Sequence, residues 1–229
     1  MKQNNKYSVV VCGGGHAGIE AALILNKFKI KTALVTIDPL AVGRMSCNPA
    51  IGGLAKGQIV KEIDVLGGLM PLATDQSALQ YKILNRSKGK SVWSPRAQVD
   101  KRLYESFVSN TIKAATHITV LKGEVVDLRV INNKIKSVTL RDGNKIACSA
   151  AILTCGTFLN GLLHIGQKKI KAGRMGENAA EGITESLIKY GFKTGRLKTG
   201  TPPRLDSRTI NFENLEEQFA DDDPYFFSF

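Results

Sequence analysis

The sequence has no apolar run that approaches the ~20 residues a helix needs to cross a bilayer. Its first six residues are polar and pass straight into a short apolar strand, not into a signal-peptide core. A membrane protein is therefore not expected, and the cytoplasm is the expected compartment. Cysteine is sparse: Cys12, Cys47, Cys148 and Cys155 show no CxxC or other metal-like spacing, and three of the four lie in apolar strand-like segments where Cys behaves as a small hydrophobe. Neither a structural disulfide nor zinc is expected. The three histidines, His16, His117 and His164, are scattered, which argues against a metal cluster or a Ser-His-Asp triad. Acidic side chains are in deficit, 20 against 32 Lys plus Arg, leaving a formal charge of +12. Such an excess attracts polyanions such as nucleic acid or phosphorylated ligands, although a solubilising lysine-rich surface accounts for the charge equally well.

What is present is ordinary globular material, 43% hydrophobic and 23% charged over 229 residues, enough for one large domain or two small ones. Residues 7–12 (YSVVVC) form a nearly continuous β-branched apolar run; glycines follow, then an Ala-rich stretch over 19–28 with apolar residues at helical spacing. Residues 31–37 (KTALVTI) read as a second buried strand. Strand, tight turn, helix and strand in so short a span predict a parallel βαβ unit and hence an α/β fold of Rossmann-like type, a parallel sheet with helices on both faces.

Residues 38–57 carry Gly, Pro, Asn and Ser without sustained periodicity and are expected to form a long functional loop. Ile59, Val60, Ile63 and Leu66 then share a helical face that Gly67-Gly68 terminates. Ser94-Pro95 reads as an N-cap with proline at the first helical position, opening a helix with Val99, Leu103, Tyr104, Phe107, Val108 and Ile112 on its apolar side. Residues 118–154, with turn signals at Asn132-Asn133 and Asp142-Gly143, predict an antiparallel β-meander whose last strand, 150–154, returns to the central sheet. A further helix is expected over 178–190, ended by Gly191. The last five residues hold four aromatics, apolar surface that further chain would have to cover, so the chain is expected to be truncated.

The chemistry concentrates in the loop Gly13-Gly14-Gly15-His16-Ala17-Gly18. In a strand-to-helix turn of this spacing the first glycine permits the turn, Gly15 lets backbone approach a pyrophosphate, and Gly18 allows helix to pack closely on strand. The helix N-terminus then offers free N–H groups and a positive dipole end to the phosphates. An acidic residue ~20 positions on should bind the ribose. Asp38 is the candidate, with Thr36 at the strand end and a plain turn role before Pro39 as the alternatives for that region. Glu20 reads as a first-turn helix residue, and His16 as a phosphate contact or a tolerated side chain. Cys47 differs from the other cysteines: it lies in the Gly/Pro/Asn-rich loop, where backbone amides and Lys56 would lower a thiol pKa, so it is the candidate catalytic residue or else an inert thiol under the loop.

With GGGHAG, the string Ser46-Cys47-Asn48-Pro49-Ala50-Ile51-Gly52-Gly53 and the later Leu84-Asn85-Arg86-Ser87-Lys88-Gly89, the chain closely resembles the MnmG (GidA) family. Arg96-Ala97-Gln98, the run from Leu153 through Leu159, His164-Ile165-Gly166 and the stretch from Gly195 to Arg204 add to the resemblance, which covers essentially all 229 residues. It implies a flavoprotein that works with the GTPase MnmE to install a carboxymethylaminomethyl or aminomethyl group on C5 of the wobble uridine of tRNA. FAD and NADH would supply redox chemistry and a methylene-folate the carbon unit. It also implies that Gly13 through Gly18 hold the FAD phosphates, that the backbone of Val125 meets the adenine side, and that Gly156 belongs to a second glycine turn over the cofactor. Where many relatives carry Ser at position 180, this chain has Ala180.

The positive charge then has a partner, tRNA phosphates, with the densest basic stretch running from Lys82 to Arg102 and interleaved with Tyr81 and Trp93. Relatives continue past the aromatic terminus through an NADH-binding segment and a helical domain that engages MnmE. On this reading residues 1–205 are an incomplete FAD-binding domain, 206–229 open an inserted domain, NADH binding is missing, and the homodimer of the full-length protein and the complete reaction lie beyond this chain. The rival readings are the FAD- and folate-dependent tRNA uridine methyltransferase, which the Cys47 string argues against, a generic NAD(P)H-flavin oxidoreductase, and a non-catalytic FAD- and tRNA-binding remnant.

Overall fold

The computed structural model of the chain describes residues 6–46, 48–198, 200 and 205–229. Strand β1 (Val9–Cys12) is buried throughout; α1 (His16–Lys27) crosses over to β2 (Thr32–Thr36), which pairs with β1 in parallel, Val9 opposite Thr32 and Cys12 opposite Val35. An excursion follows through β3 (Ala50–Gly52), α2 (Lys56–Val65), α3 (Met70–Ser77), β4 (Ala78–Leu84), β5 (Ser94–Val99) and α4 (Lys101–Ala114). The chain rejoins the parallel sheet at β6 (Ile118–Lys122), leaves it for the meander β7 (Val125–Ile131), β8 (Lys134–Leu140) and β9 (Lys145–Ala147), and returns in β10 (Ala150–Leu153). A hairpin, β11 (Leu162–Ile165) and β12 (Lys168–Lys171), and the short α5 (Ile183–Lys189) follow.

The parallel sheet runs in the order β10-β1-β2-β6. Alternation with period two divides its side chains between two cores. Val9, Val11 and Leu34 pack with Ile19 and Ala22 of α1 and Tyr104, Val108 and Ile112 of α4. Val10, Cys12, Ala33 and Val35 face Leu128, Val138 and Ile146 of the meander and Ile183 of α5. The expected α/β class with a parallel sheet and a meander therefore stands. One face of the sheet carries helices; the other is covered by the meander with the single helix α5, which is fastened to β7 by Ser186 Oγ donating to Asp127 and by Tyr190 Oη donating to the carbonyl of Leu128 at 2.8 Å.

Several boundaries differ from the sequence reading. Ser94-Pro95 opens strand β5, the central strand of a sheet ordered β3-β5-β4, and not a helix. Proline is tolerated at the second residue of that strand, where its carbonyl still accepts from Gly53 N at 2.8 Å. The helix is capped six residues later by Asp100, whose carboxylate accepts from Arg102 N at 2.7 Å and Leu103 N at 3.1 Å. Residues 38–57 contain β3 and the first two residues of α2, so the expected loop is shorter. The first strand of the expected meander, β6, belongs to the parallel sheet, pairing Thr32 with Ile118 through Thr36 with Lys122. The helix expected over 178–190 starts only at Ile183, because residues 178–180 turn toward the end of β10. The aromatic terminus is partly covered: Phe227 is fully buried against the helix-side core, while Phe229 is 92% exposed.

Candidate functional site

At the carboxyl end of the parallel sheet, where open α/β sheets hold their ligands, lies an open cavity of about 460 Å³. Its floor is the glycine loop. Gly13 has φ +121°, and a Cβ there would stand 2.4 Å from the carbonyl oxygen of Thr154. A Cβ on Gly18 would stand 1.9 Å from Gly13 O, so only glycine lets α1 sit this close to β1. Gly15, the N-cap of α1, has nothing among the described residues within 4 Å of its Cβ position, which opens onto the cavity. The first amides of α1 have no acceptor within the helix, so the loop presents donors and a positive dipole end beside open space.

Gly13, Gly14, Gly15, Asp38, Val125 and Gly156 all line this cavity, drawn from four separate parts of the chain. Thr36 and Asp38 stand together at the end of β2. The Asp38 carboxylate caps the turn after it, accepting from Leu40 N at 2.9 Å, while also facing the cavity, so the turn role and the cavity role coexist. Val125 enters at the start of β7, held by Gly123 N donating to Thr36 O at 2.9 Å. Gly156, with φ +66°, has open space at its Cβ position opposite the glycine loop. Ala180 closes the wall through backbone bonds to Phe158 and Asn160.

His16, Ala17 and Gly18 do not line the cavity. The His16 side chain turns to the other side of α1, into a small cavity of about 10 Å³ shared with Glu20, Leu69, Met70 and Tyr104. Its ring lies 5.5 Å from that of Tyr104, its Nε2 is buried without a partner, and burial holds its pKa below the ordinary value. The His16 imidazole is therefore turned away from the cavity that Gly13 to Gly15 line. Glu20 also points away, its carboxylate accepting from Leu69 N at 3.0 Å and from Met70 N at 2.6 Å as a cap on α3.

Cys47 lies outside the described residues, but its neighbour Ser46 lines the cavity, and the Ser46 carbonyl accepts from Arg174 Nη1 at 3.0 Å. Arg174 is in turn paired with Glu177, and Arg44 bridges Glu105 at 3.2 Å, Asp38 at 3.7 Å and Glu177 at 3.8 Å. This rim network ties the loop that carries Cys47 to the 174–177 turn. Sequence reasoning missed Arg44, Arg174 and Glu177; the glycines flanking the 174–175 turn were the one signal available. Among the described residues the thiols of Cys12 and Cys155 line the cavity, but burial pushes both up, Cys12 to about 12, so neither is a ready nucleophile. Glu124 also faces the cavity; the Arg141 guanidinium, donating at 2.8 Å, holds its carboxyl below the usual range.

The chain matches the family described as "Glucose inhibited division protein A" over residues 8–229. It is 50% identical over 224 residues, 97% of its length, to the tRNA uridine 5-carboxymethylaminomethyl modification enzyme MnmG of Chlorobaculum tepidum. It is also 50% identical over 231 residues to the enzyme of the same description from a Sulfurihydrogenibium species. Among solved structures, GidA of Aquifex aeolicus superposes with a TM-score of 0.92 at 47% identity, covering 98% of this chain and 37% of that one. The chain spans little more than a third, 36–37%, of the length of these curated relatives. Among the described residues, no helix is long and apolar enough to cross a membrane.

Proposed function

The chain belongs to the GidA, or MnmG, family, and from that premise we propose that it forms the FAD-binding part of a tRNA-modifying flavoprotein. The observation that carries the reading is the single cavity that gathers Gly13 to Gly15, Asp38, Val125 and Gly156 with the neighbour of Cys47 on its rim. The residues fit the cofactor: open space at the Cβ positions of Gly15 and Gly156 leaves backbone accessible on two sides, and a helix N-terminus faces the same volume. When bound, FAD supplies two-electron redox chemistry. The chain's own part is to receive the pyrophosphate on the amides of residues 13–18, to orient the ribose through Thr36 or Asp38, and to place the adenine beside the backbone of Val125.

The reaction assigned to the intact family protein is addition of a carboxymethylaminomethyl or aminomethyl group at C5 of the wobble uridine, in the cytoplasm, with MnmE, NADH and a folate-borne carbon unit as partners. In this proposal a homodimer is the working form, and the domain division falls near residue 205. Cys47 is the residue proposed to take part in the chemistry, its loop steadied by Arg174 through the Ser46 carbonyl. Expression of the protein in a strain lacking the family's enzyme, followed by mass spectrometry of tRNA nucleosides and release of bound flavin, tests the reading. Stoichiometric FAD is the expected result for the chain itself. Absence of flavin from the folded protein, with wobble uridine left unmodified, would sink it.

A further inference from the structure

The hairpin β11–β12 is rooted on the lip of the cofactor cavity. Residues 157–159 lead into it and 177–180 lead away, and both stretches line the cavity. Its base is pinned by Asn160 N donating to Ala180 O at 2.8 Å, by Ala172 N donating to Gly161 O at 3.1 Å and by Gly173 N donating to Glu177 O at 3.0 Å. Beyond the base all four residues of β12 are exposed, and among the described residues the two strands pair with each other alone. At four residues each, the strands extend ~13 Å from the lip.

The register sorts its side chains. Leu163 stands opposite Ile170 and Ile165 opposite Lys168, while Leu162 stands opposite Lys171 and His164 opposite Lys169. Residues directly opposite share a face, so one face holds Leu163, Ile165 and Ile170, with Lys168 at the turn, and the other holds Lys169, Lys171 and His164, with Leu162 at the base. In the basic stretch 82–102, two of the cations are already engaged, Lys82 donating to Phe219 O at 2.8 Å and Arg86 paired with Asp221 at 2.9 Å. Two carboxylates bonded to residues at the hairpin's base are engaged locally, Glu177 by Arg174 and Glu185 by Asn160 at 2.9 Å. A cation-bearing arm standing on the lip of a reaction cavity fits a polyanion whose reacting group enters that cavity.

We infer that the face of β11–β12 bearing Lys169 and Lys171 contacts the phosphate backbone of the RNA substrate beside the nucleotide presented to the cavity. This rests on the RNA-modifying reading above. Each lysine that neutralises a phosphate releases a counterion, so log Kd against log salt should change by about 0.7 to 0.9 per lysine.

The experiment measures binding of an unmodified tRNA transcript to the full chain across a salt series. It compares the parent with Lys169→Gln/Lys171→Gln and with a charge-matched control, Lys134→Gln/Lys136→Gln, on the exposed positions of β8. The hairpin variant should lose about 1.4 to 1.8 from the slope, with flavin content unchanged, Lys169→Arg/Lys171→Arg should restore the slope, and the control should retain it. An unchanged slope in the hairpin variant, or an equal loss in the control, overturns the inference while leaving the functional reading in place. No tRNA binding by the parent chain sinks both.

Discussion

Around the glycine loop, backbone packs on backbone: Gly13 lies against Thr154 O and Gly18 against Gly13 O, and Gly13 N donates to Val35 O at 2.8 Å. Around β4, the neighbouring segment 219–229 makes one backbone bond, Asp221 N donating to Tyr81 O at 3.0 Å, and is otherwise held largely through side chains. Asp75 accepts from Phe227 N at 3.0 Å, from Ser228 N at 2.7 Å and from Tyr81 Oη at 2.7 Å; Asp221 accepts from Ile83 N at 2.7 Å. Lys61 sits 4.5 Å from the Tyr225 ring and 4.4 Å from the Phe229 ring, and Phe226 meets Tyr81 edge-on at 5.2 Å. The first region is specified by what is missing at Cβ, and at Gly13 and Gly18 it tolerates no addition. The second is specified by long side chains and should fail when one is removed.

The largest effect is therefore expected in the second region. Phe227 is fully buried, its ring against the backbone of Gly52, whose Cβ position lies 2.7 Å from Cζ. Phe227→Ala should cost about 3–5 kcal/mol, the range for truncating a buried aromatic, read as a lower urea midpoint. A loss under about 1 kcal/mol would show that the segment is loosely held and the contrast unfounded. Next comes Gly18→Ala, which adds one methyl where none fits. A cost of about 1–3 kcal/mol is expected for overpacking, together with loss of bound FAD, since α1 must move off β1. Retention of full flavin content would show that the loop yields more than its backbone packing allows.

The same contrast explains what the sequence made legible. The βαβ unit, the turns at 132–133 and 142–143 and the return of β10 follow from local periodicity and turn chemistry, and the parallel pairing of β10 with β1 is as expected. The glycine loop was equally readable, because the spacing of its glycines is a steric requirement written in adjacent residues. Ser94-Pro95 misled because a cap and a helical first-turn proline look the same as a proline entering a strand when the sheet partners, β3 and β4, lie elsewhere in the sequence. The docking of 219–229 on Asp75 and Tyr81, the turning of His16 away from the cavity and the Arg44–Glu177–Arg174 rim depend on residues up to about 150 positions apart. No local pattern encodes those.

A smaller effect separates the two sides of α1 itself. His16 shares its buried cavity with Glu20 and Tyr104, and burial lowers its pKa from the ordinary 6.5. The unfolded chain then takes up a proton before the folded one does, so this contribution is fully present above pH 6.5 and declines as pH falls below it. His16→Leu should flatten the acid-side loss of stability between about pH 7 and pH 5.5 relative to the parent, in urea titrations at each pH. The subtraction cancels the other titrating groups. An identical slope in both proteins would place the proton acceptor elsewhere.

The smallest stability change is expected at Gly15, and it sharpens the comparison most. Its φ is −78°, its Cβ position meets nothing within 4 Å among the described residues, and alanine there needs no strained backbone. Gly15→Ala should therefore shift the urea midpoint by no more than about 0.5 kcal/mol. The space the methyl fills is, however, the space onto which the helix N-terminus opens, so flavin retention should fall even though the fold is intact. Gly18→Ala should lose stability and flavin together, and Gly15→Ala flavin alone. If Gly15→Ala kept its FAD, the open space at that position would not be where the pyrophosphate lies, and the cofactor would have to be sought elsewhere along the cavity wall.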